Sequence, residues 1–388
     1  MTQPDVLTDP ALGRVWDALP DARVVGGAVR DALAGRTIAD IDLATPNPPE
    51  SVMESLRQAG VKVVPTGLTH GTVTAVVDGR GFEVTTLRHD LQTDGRHAVV
   101  AFTADWRQDA ARRDFTINAM SMARDGTVFD YFEGTADLRA GRVRFVGDPA
   151  TRIAEDYLRI LRFFRFHARF GRVPPDPSTL AALQAAIPGL ARLSIERVWT
   201  ELRRILVAPN PSDSALLMDR LGIWAAVLPE APVVSRLADL PADPILRLAA
   251  MLPRDGLTGD ALALATRLKM SNEDRDRLVR LMATPGATGS DADLRRSLAD
   301  HRPADLIDRA WLDADPIVRQ RLSAMKRPVF PLVGRDVVAI GVPAGPAVGA
   351  LLRDVRQWWL DGGCIADRPA CLTELARNTN LPNMDGKR

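Results

Sequence analysis

The sequence predicts an α/β head followed by an all-helical remainder. Three observations carry that expectation. Residues 22–45 read as a strand, a glycine turn, a helix and a second strand. Two alternating apolar runs, 71–77 and 81–87, flank Asp78-Gly79-Arg80, and Asp-Gly between such runs is a hairpin signal. Beyond Asp148-Pro149 the strand signals nearly vanish and helix starts replace them.

Taken in order, 22–25 is a short strand, Gly26-Gly27 its turn, 28–34 a helix, and Gly35 the stop. Residues 38–44 alternate Ile, Asp and Leu against their neighbours and read as the second strand. A loop at 46–49 precedes a helix over 51–59 and a short strand over 61–64. The stretch 88–100, with His89, Asp94, Gly95, Arg96 and His97, has poor periodicity and reads as a loop or exposed hairpin end. Asp148 is placed as an N-cap with Pro149 at the first helical position. Helices are expected over 152–170, 178–186 and 195–206, with a boundary at 209–212. Further helix starts fall at Asp243-Pro244 and Ser271. Near the end, 335–340 and 347–359 read as helices joined through Gly341, a C-cap, and Trp358-Trp359 as packing.

The length of 388 residues suggests two to three domains. A net charge of +1 makes no global claim on nucleic acid, so charge distribution has to carry that argument. The basic residues are nearly all arginine, the better phosphate fork. Cys364 and Cys371 are too few for a disulfide framework or a zinc site. Residues 1–20 lack the apolar core of a signal peptide, and no run approaches a membrane span. The expectation is a cytoplasmic, soluble protein with no membrane association.

Asp40 and Asp42 are two apart, and side chains two apart on a strand share a face. Magnesium is held by one or two carboxylates plus substrate phosphates. A glycine turn opening a helix offers bare N–H groups and a positive dipole end to phosphate. Together these are the minimum kit for nucleotidyl transfer. Acids that merely face water are the bland alternative. The sharper one is a phosphatase of the haloacid dehalogenase kind, with Thr or Val two residues after its Asp-x-Asp; here Ala44 holds that place.

With four further segments the chain resembles the class II CCA-adding enzymes, tRNA nucleotidyltransferases of the polymerase-β superfamily. The first motif is carried by Gly26, Gly27, Arg30, Asp31, Gly35, Asp40, Asp42 and Thr45. The second is Arg112-Arg113-Asp114-Phe115-Thr116-Ile117-Asn118-Ala119-Met120, and the third Asp130-Tyr131-Phe132-Glu133-Gly134 running on to Leu138. The fourth is Glu155-Asp156-Tyr157-Leu158-Arg159 followed by Ile160-Leu161-Arg162-Phe163, and the fifth Ser194-Ile195-Glu196-Arg197. They occur in family order over roughly residues 22–206.

The resemblance implies a polymerase-β-like nucleotidyltransferase sheet in a head (1–140), then a helical neck (141–208), body (209–300) and tail (301–388) in an elongated arrangement. It implies template-independent addition of CCA to the tRNA 3′ end from CTP and ATP, with Mg²⁺ and release of pyrophosphate, and no obligate protein partner. Asp40 and Asp42 are then the metal ligands. Glu83, on the strand 81–87, is either a third carboxylate near the metals or a solvated position. Gly26 and Gly27 cradle the triphosphate and Arg30 positions that loop. Asp114 accepts the ribose 2′-hydroxyl, one of Arg112 and Arg113 helps hold phosphate, and Asn118 lies in the helix that follows. Asp156 and Arg159, three apart and so on one helix face, imitate a base-pairing edge for C or A; in an arbitrary helix they would read as an ion pair. Arg159, Arg162, Arg165 and Arg169 form a basic stripe suited to phosphate. The stretch 88–100 matches the family's flexible loop, which helps the switch to A and argues against a C-only enzyme. An enzyme adding only the final A remains an alternative. So does a bacterial poly(A) polymerase, although residues 65–72 lack that subgroup's Gly-Arg-Arg-Phe. A non-catalytic tRNA-binding protein predicts loss of Asp40, Asp42 or Arg159, and all three are present.

Overall fold

A computed structural model describes residues 5–379 apart from 94–97, 210, 232, 233, 235, 236, 238 and 254–257. The strands are β1 (Arg23–Val25), β2 (Asp42–Thr45), β3 (Lys62–Gly67), β4 (Thr72–Val77), β5 (Arg80–Thr86), β6 (Arg88–Thr93), β7 (Ala98–Phe102), β8 (Ser121–Met122) and β9 (Val128–Phe129). Seven of them form one sheet in the order β3-β4-β5-β2-β1-β8-β9, and β6 pairs with β7. The tip residues 94–97 of the loop expected at 88–100 lie outside the described residues. The β4–β5 hairpin turns through Asp78 (φ 52°) and Gly79 (φ 78°). Both sit in the left-handed region, which the right-handed twist of a two-residue hairpin favours. Alternation puts Val73, Ala75 and Val77 inside on β4, and Phe82 and Val84 inside on β5.

The second strand is shorter than its sequence pattern. β2 begins at Asp42, leaving Asp40 in the connection before it. On one side β1 pairs Val24 with Leu43 and then leaves the sheet at the Gly26 turn. Ile41 and Asp40 therefore meet no backbone partner there, and the period-two argument does not extend to Asp40. On the other side β2 runs parallel to β5, with Asp42 opposite Glu83.

Asp148 caps the helix Pro149–Glu155 as expected, accepting the N–H of Thr151 at 2.8 Å. The single helix expected over 152–170 is two, Pro149–Glu155 and Leu158–Phe170. Asp156 breaks it. Its backbone is extended (φ −155°, ψ 108°), and its Oδ1 accepts the N–H of Leu158 at 3.1 Å. A side chain that satisfies a nearby backbone donor offers the chain an alternative to helix. The Leu158–Phe170 helix is fixed by aromatic packing. Phe145 stacks on Phe163 at 5.9 Å, and Phe115 meets Phe145 at 4.8 Å and Phe166 at 5.2 Å. Such pairs contribute about 0.5–1.5 kcal/mol each beyond burial. They tie the segment carrying Asp114 to this helix.

The chain divides into two compact units, 1–238 and 239–388, and the division falls inside the segment expected as body. Every regular element among the described residues of the second unit is a helix. Asp243 and Ser271 cap their helices there as expected. Trp359 is buried in a core with Leu332, Val337 and Val355, whereas Trp358 is 38% exposed. Among the described residues no helix is long and apolar enough to cross a membrane.

Candidate active site

β1 ends in a turn that only glycine tolerates. Gly26 has φ 69° and ψ −123°, and a Cβ there would lie 2.9 Å from Nη1 of Arg113. An L side chain is strained in that conformation, so the backbone requires glycine, and a Cβ would also push the end of the Arg113 side chain aside. Gly27, the first residue of the helix Gly27–Leu33, is under no such constraint: its Cβ would stand 3.6 Å from Arg30 Nη2.

Asp42 opens β2 and stays open to solvent, in register with the equally exposed Glu83. In-register neighbours on adjacent strands share a face about 4.8 Å apart. Partial burial raises the Asp42 carboxyl above its usual range; Glu83 and Asp40 push it further, and Arg113 opposes them. Mutual repulsion of this kind is relieved by a bound cation. No ion pair joins Asp40, Asp42 or Glu83 to a basic side chain within 4.0 Å among the described residues. Nor do three His, Cys, Asp or Glu side chains gather there into a cage. Two carboxylates left to share an ion with phosphate and water fit magnesium's usual habit.

The Arg112-Arg113-Asp114 stretch is held by a residue outside every motif. Asp109, 3% exposed, receives Arg112 Nε at 2.9 Å and Arg113 Nη2 at 3.1 Å. Burial pushes its carboxyl up, but Arg113 and Arg112 outweigh that and hold it below the usual range. Arg112 is thereby turned to Asp109 and does not line the cleft; Arg113 reaches the Gly26 turn and does. Asp114 is also buried. Its Oδ1 accepts Phe115 N–H at 2.9 Å and Asn118 Nδ2 at 3.1 Å, and its Oδ2 accepts Arg162 Nε at 2.7 Å and a second Arg162 bond from Nη2. Burial raises its carboxyl, yet Arg162 and these hydrogen bonds bring it below the usual range. Asn118 ends the 3₁₀ turn Thr116–Asn118 rather than an α-helix, and its Oδ1 accepts Arg30 Nη1 at 2.6 Å. Arg30 also forks onto Asp31 and lies 5.1 Å and 4.7 Å from the Phe166 and Phe170 rings. It braces the turn from behind.

Asp156 and Arg159 do not share a helix face, because Asp156 sits in the break between two helices. Nor do they pair with each other. Asp156 Oδ2 accepts Arg197 Nη2 at 2.7 Å, while Arg159 Nη1 donates to the Arg152 carbonyl at 2.8 Å and to Glu155. The expected basic stripe is largely neutralised from other positions. Arg159 meets Glu155, Arg162 meets Asp114, and Arg165 meets Glu201 at 3.0 Å. Burial and the neighbouring Arg162 bring Arg165 down to about 10, against the pull of Glu201.

A cleft of about 480 Å³ collects these groups. Gly26, Gly27, Arg30, Asp42, Arg113, Asp114, Asn118, Asp156, Arg159 and Arg162 all line it, with Arg165, Phe166 and Arg197. Asp40, Glu83 and Arg112 stand outside its lining. Arg197, in the fifth motif, and Glu155, in the fourth, had no assigned role in the sequence, and Asp109 and Glu201 carried no signal beyond helical spacing from an arginine. One wall thus offers a carboxylate at a strand start beside a glycine turn. The other offers donors and acceptors at a helix junction. The arrangement suits a charged polyphosphate on the first wall and a flat hydrogen-bonding group on the second.

Comparison with known proteins gives concordant results. The poly A polymerase head domain family matches residues 22–144. A family described as the probable RNA and SrmB-binding site of polymerase A matches residues 174–233. The chain is 36% identical over 379 residues to human CCA tRNA nucleotidyltransferase 1, mitochondrial, covering 92% of this chain and 87% of that protein. It is 30% identical over 390 residues to the CCA-adding enzyme of Levilactobacillus brevis, covering 93% and 95%. The structure resembles that of the Bacillus stearothermophilus CCA-adding enzyme in complex with CTP, with a TM-score of 0.71, 26% identity and 98% of each chain covered.

Proposed function

The chain belongs to the CCA tRNA nucleotidyltransferase family, and from that premise we propose that it adds CCA to the 3′ end of tRNA from CTP and ATP, without a nucleic-acid template, releasing pyrophosphate. The observation that most supports this reading is the junction at Asp156. Asp156 and Arg159 line the same cleft as Asp42, yet neither is used up by the other. Among the described residues only Nη1 of Arg159 is engaged, leaving Nε and Nη2 to donate. Asp156 keeps one lone pair on each oxygen after Leu158 and Arg197 are served. That pair of faces offers both donors and acceptors to the edge of a base.

Around it the other residues take defined tasks. The Gly26-Gly27 turn receives the triphosphate on its backbone N–H groups. Arg113 holds phosphate beside it, and Arg30 keeps the turn in place through Asn118. Asp114 accepts the ribose 2′-hydroxyl. Because Phe115, Asn118 and Arg162 fill its acceptor sites, that contact displaces one of the two Arg162 hydrogen bonds. Asp40 and Asp42 would hold a divalent ion, Mg²⁺ in this reading, and the chemistry it would supply there is Lewis acidity toward a hydroxyl and charge neutralisation of phosphate. Glu83 adds negative charge beside Asp42. The division into head, neck, body and tail at residues 140, 208 and 300, and a cytoplasmic location, belong to the same proposal.

The test is a product-length assay on tRNA transcripts ending at the discriminator base, at C and at CC, with Mg²⁺ and CTP, ATP or both. The expected result is CC from CTP alone and CCA when ATP joins. Extension of only the CC-ended transcript by one A would make this an A-adding enzyme. Long A tails on unrelated RNA would make it a poly(A) polymerase.

A further inference from the structure

Tyr157 stands between Asp156 and Arg159, the two residues that offer donors and acceptors to a base. Asp156, Leu158 and Arg159 line the catalytic cleft, and Tyr157 does not. Its half-buried ring lies instead against the 3₁₀ turn Ile187–Arg192. There it meets the buried Gly189 in the closest approach of any glycine among the described residues. A Cβ on Gly189 would lie 2.1 Å from both Cδ1 and Cε1 of Tyr157 and 2.5 Å from its Cγ. The backbone of Gly189 is not left-handed, so it is space rather than conformation that requires glycine. From the same turn Arg192 brings its guanidinium to 5.5 Å from the Tyr157 ring, within cation–π range. The helix Ile195–Leu206 follows and supplies Arg197 to Asp156 Oδ2. One stretch of chain, 187–197, thus touches the junction at both Tyr157 and Asp156.

Neither side of this contact can yield cheaply. The atoms of Tyr157 nearest Gly189 belong to the root of a rigid ring, not to the end of a flexible chain. The turn itself is backed, with Leu190 only 4% exposed and the helix Ile223–Val227 packed against it. A side chain at 189 therefore pushes the ring, and the ring carries the backbone at 157 with it. On one side of that backbone the Asp156 carbonyl accepts Arg159 N–H at 2.9 Å, and on the other the Tyr157 carbonyl accepts Ile160 N–H at 3.1 Å. Asp156 and Arg159 move with Tyr157. Groups that must meet a ligand edge within hydrogen-bond distance tolerate little displacement, and about 1 Å can cost about 100-fold in rate. We propose that Gly189 is a positioning residue for nucleotide choice: its missing side chain seats the Tyr157 ring, and the seated ring fixes where Asp156 and Arg159 stand toward the base. The proposal rests on the base-reading role given to that pair above. It adds a determinant outside the cleft and outside all five motifs, within the stretch 174–233 that matches the RNA and SrmB-binding family, and assigns to it nucleotide choice rather than RNA affinity.

The test uses the full-length protein as wild type, Gly189→Ala, Tyr157→Ala, the double variant and Tyr157→Phe. Incorporation of CTP, ATP and UTP, each alone, is measured on transcripts ending at the discriminator base and at CC, with tRNA affinity and Tm alongside. For Gly189→Ala, kcat/KM for CTP and ATP should fall by about 10- to 100-fold. Its preference for CTP over UTP should fall by about 10-fold, the loss of one hydrogen bond to a base edge, with tRNA affinity held. The double variant should match Tyr157→Ala, because no ring remains for the added methyl group to displace. Tyr157→Phe keeps the ring and should keep the choice. A lowered Tm with an unchanged ratio of CTP to UTP would overturn the proposal and leave Gly189 a packing residue only. Weaker tRNA binding with unchanged choice would overturn it too, as would additive losses in the double variant. Should Gly189→Ala fail to fold, Tyr157→Ala decides, since it adds no clash, and unchanged choice there would overturn the proposal. Titration of CTP, ATP and UTP without tRNA separates the proposal from the activity. Wild-type protein that prefers CTP and ATP in binding yet extends no tRNA would refute CCA addition, and the proposal would then stand on the same loss of preference in the variants. Wild-type protein with no preference in either assay would overturn both.

Discussion

Asp109 accepts from Arg112 and Arg113 together while only 3% exposed, so the electrostatics of one wall hang on a single carboxylate. Asp109→Asn keeps the shape and removes the charge, leaving two arginines beside the site without their counter-ion. Removing one partner of a buried pair is costly, here about 2 kcal/mol at pH 7 given that the arginines keep some solvent. The folded-state carboxyl lies below its ordinary value of about 3.9, so its contribution is present above that pH and lost as pH falls through the folded value. The gap between wild type and variant in urea titrations should therefore narrow between pH 7 and pH 3; a constant gap would deny the ion pairs their role. Asp42→Ala should abolish nucleotide transfer while melting within a few degrees of wild type, because a solvent-open carboxylate at a strand start is not core. Full activity in that variant would remove it from the catalytic set. Arg159→Ala should blur the choice between CTP and ATP more than it weakens tRNA binding, read from incorporation with single and mixed nucleotides. Unchanged choice would take the template role away.

Two short elements decide how those residues meet. The Gly26 turn combines a left-handed φ with an arginine 2.9 Å from where a Cβ would sit. Gly26→Ala should cost about 1–3 kcal/mol from backbone strain and, by moving Arg113, should raise KM for CTP in steady-state assays. Gly27→Ala should do much less, and equal effects would mean that the turn's geometry is not what matters. The break at Asp156 is the other element. A continuous helix would have pointed Asp156 and Arg159 along one face, close enough to neutralise each other. The break turns Asp156 to Arg197 and leaves Arg159 to Glu155, so both keep capacity for a ligand. Helix periodicity over 152–170 concealed this, since 158–170 is strongly amphipathic and nothing in a linear pattern reports that Asp156 satisfies the Leu158 N–H.

At the scale of the whole molecule, every residue assigned to the catalytic cleft lies in the first compact unit, which ends at residue 238. Residues 1–238 expressed alone should therefore unfold in one cooperative step and bind CTP, measured by calorimetry and titration; a fragment with no cooperative transition would show that its core depends on the rest. The sequence by itself determined the kind of elements and the chemistry. Strand and helix periods, the Asp78-Gly79 hairpin, the Asp148-Pro149 start and the caps at Asp243 and Ser271 are local, because each depends on residues within one turn of chain. The five motifs likewise named most of the residues that line the cleft. Only the tertiary structure decided which of them face one another. The start of β2 at Asp42 depends on β1 leaving the sheet, and the pairing of Arg162 with Asp114 and of Arg165 with Glu201 depends on how helices pack, whereas Asp109 and Glu155 meet their arginines at helical spacing. A basic stripe read from spacing looked available for phosphate because two of the acids that oppose it, Asp114 and Glu201, come from elsewhere in the chain. Charge acts through space rather than along the chain, so which cations are spent and which remain was settled by the fold.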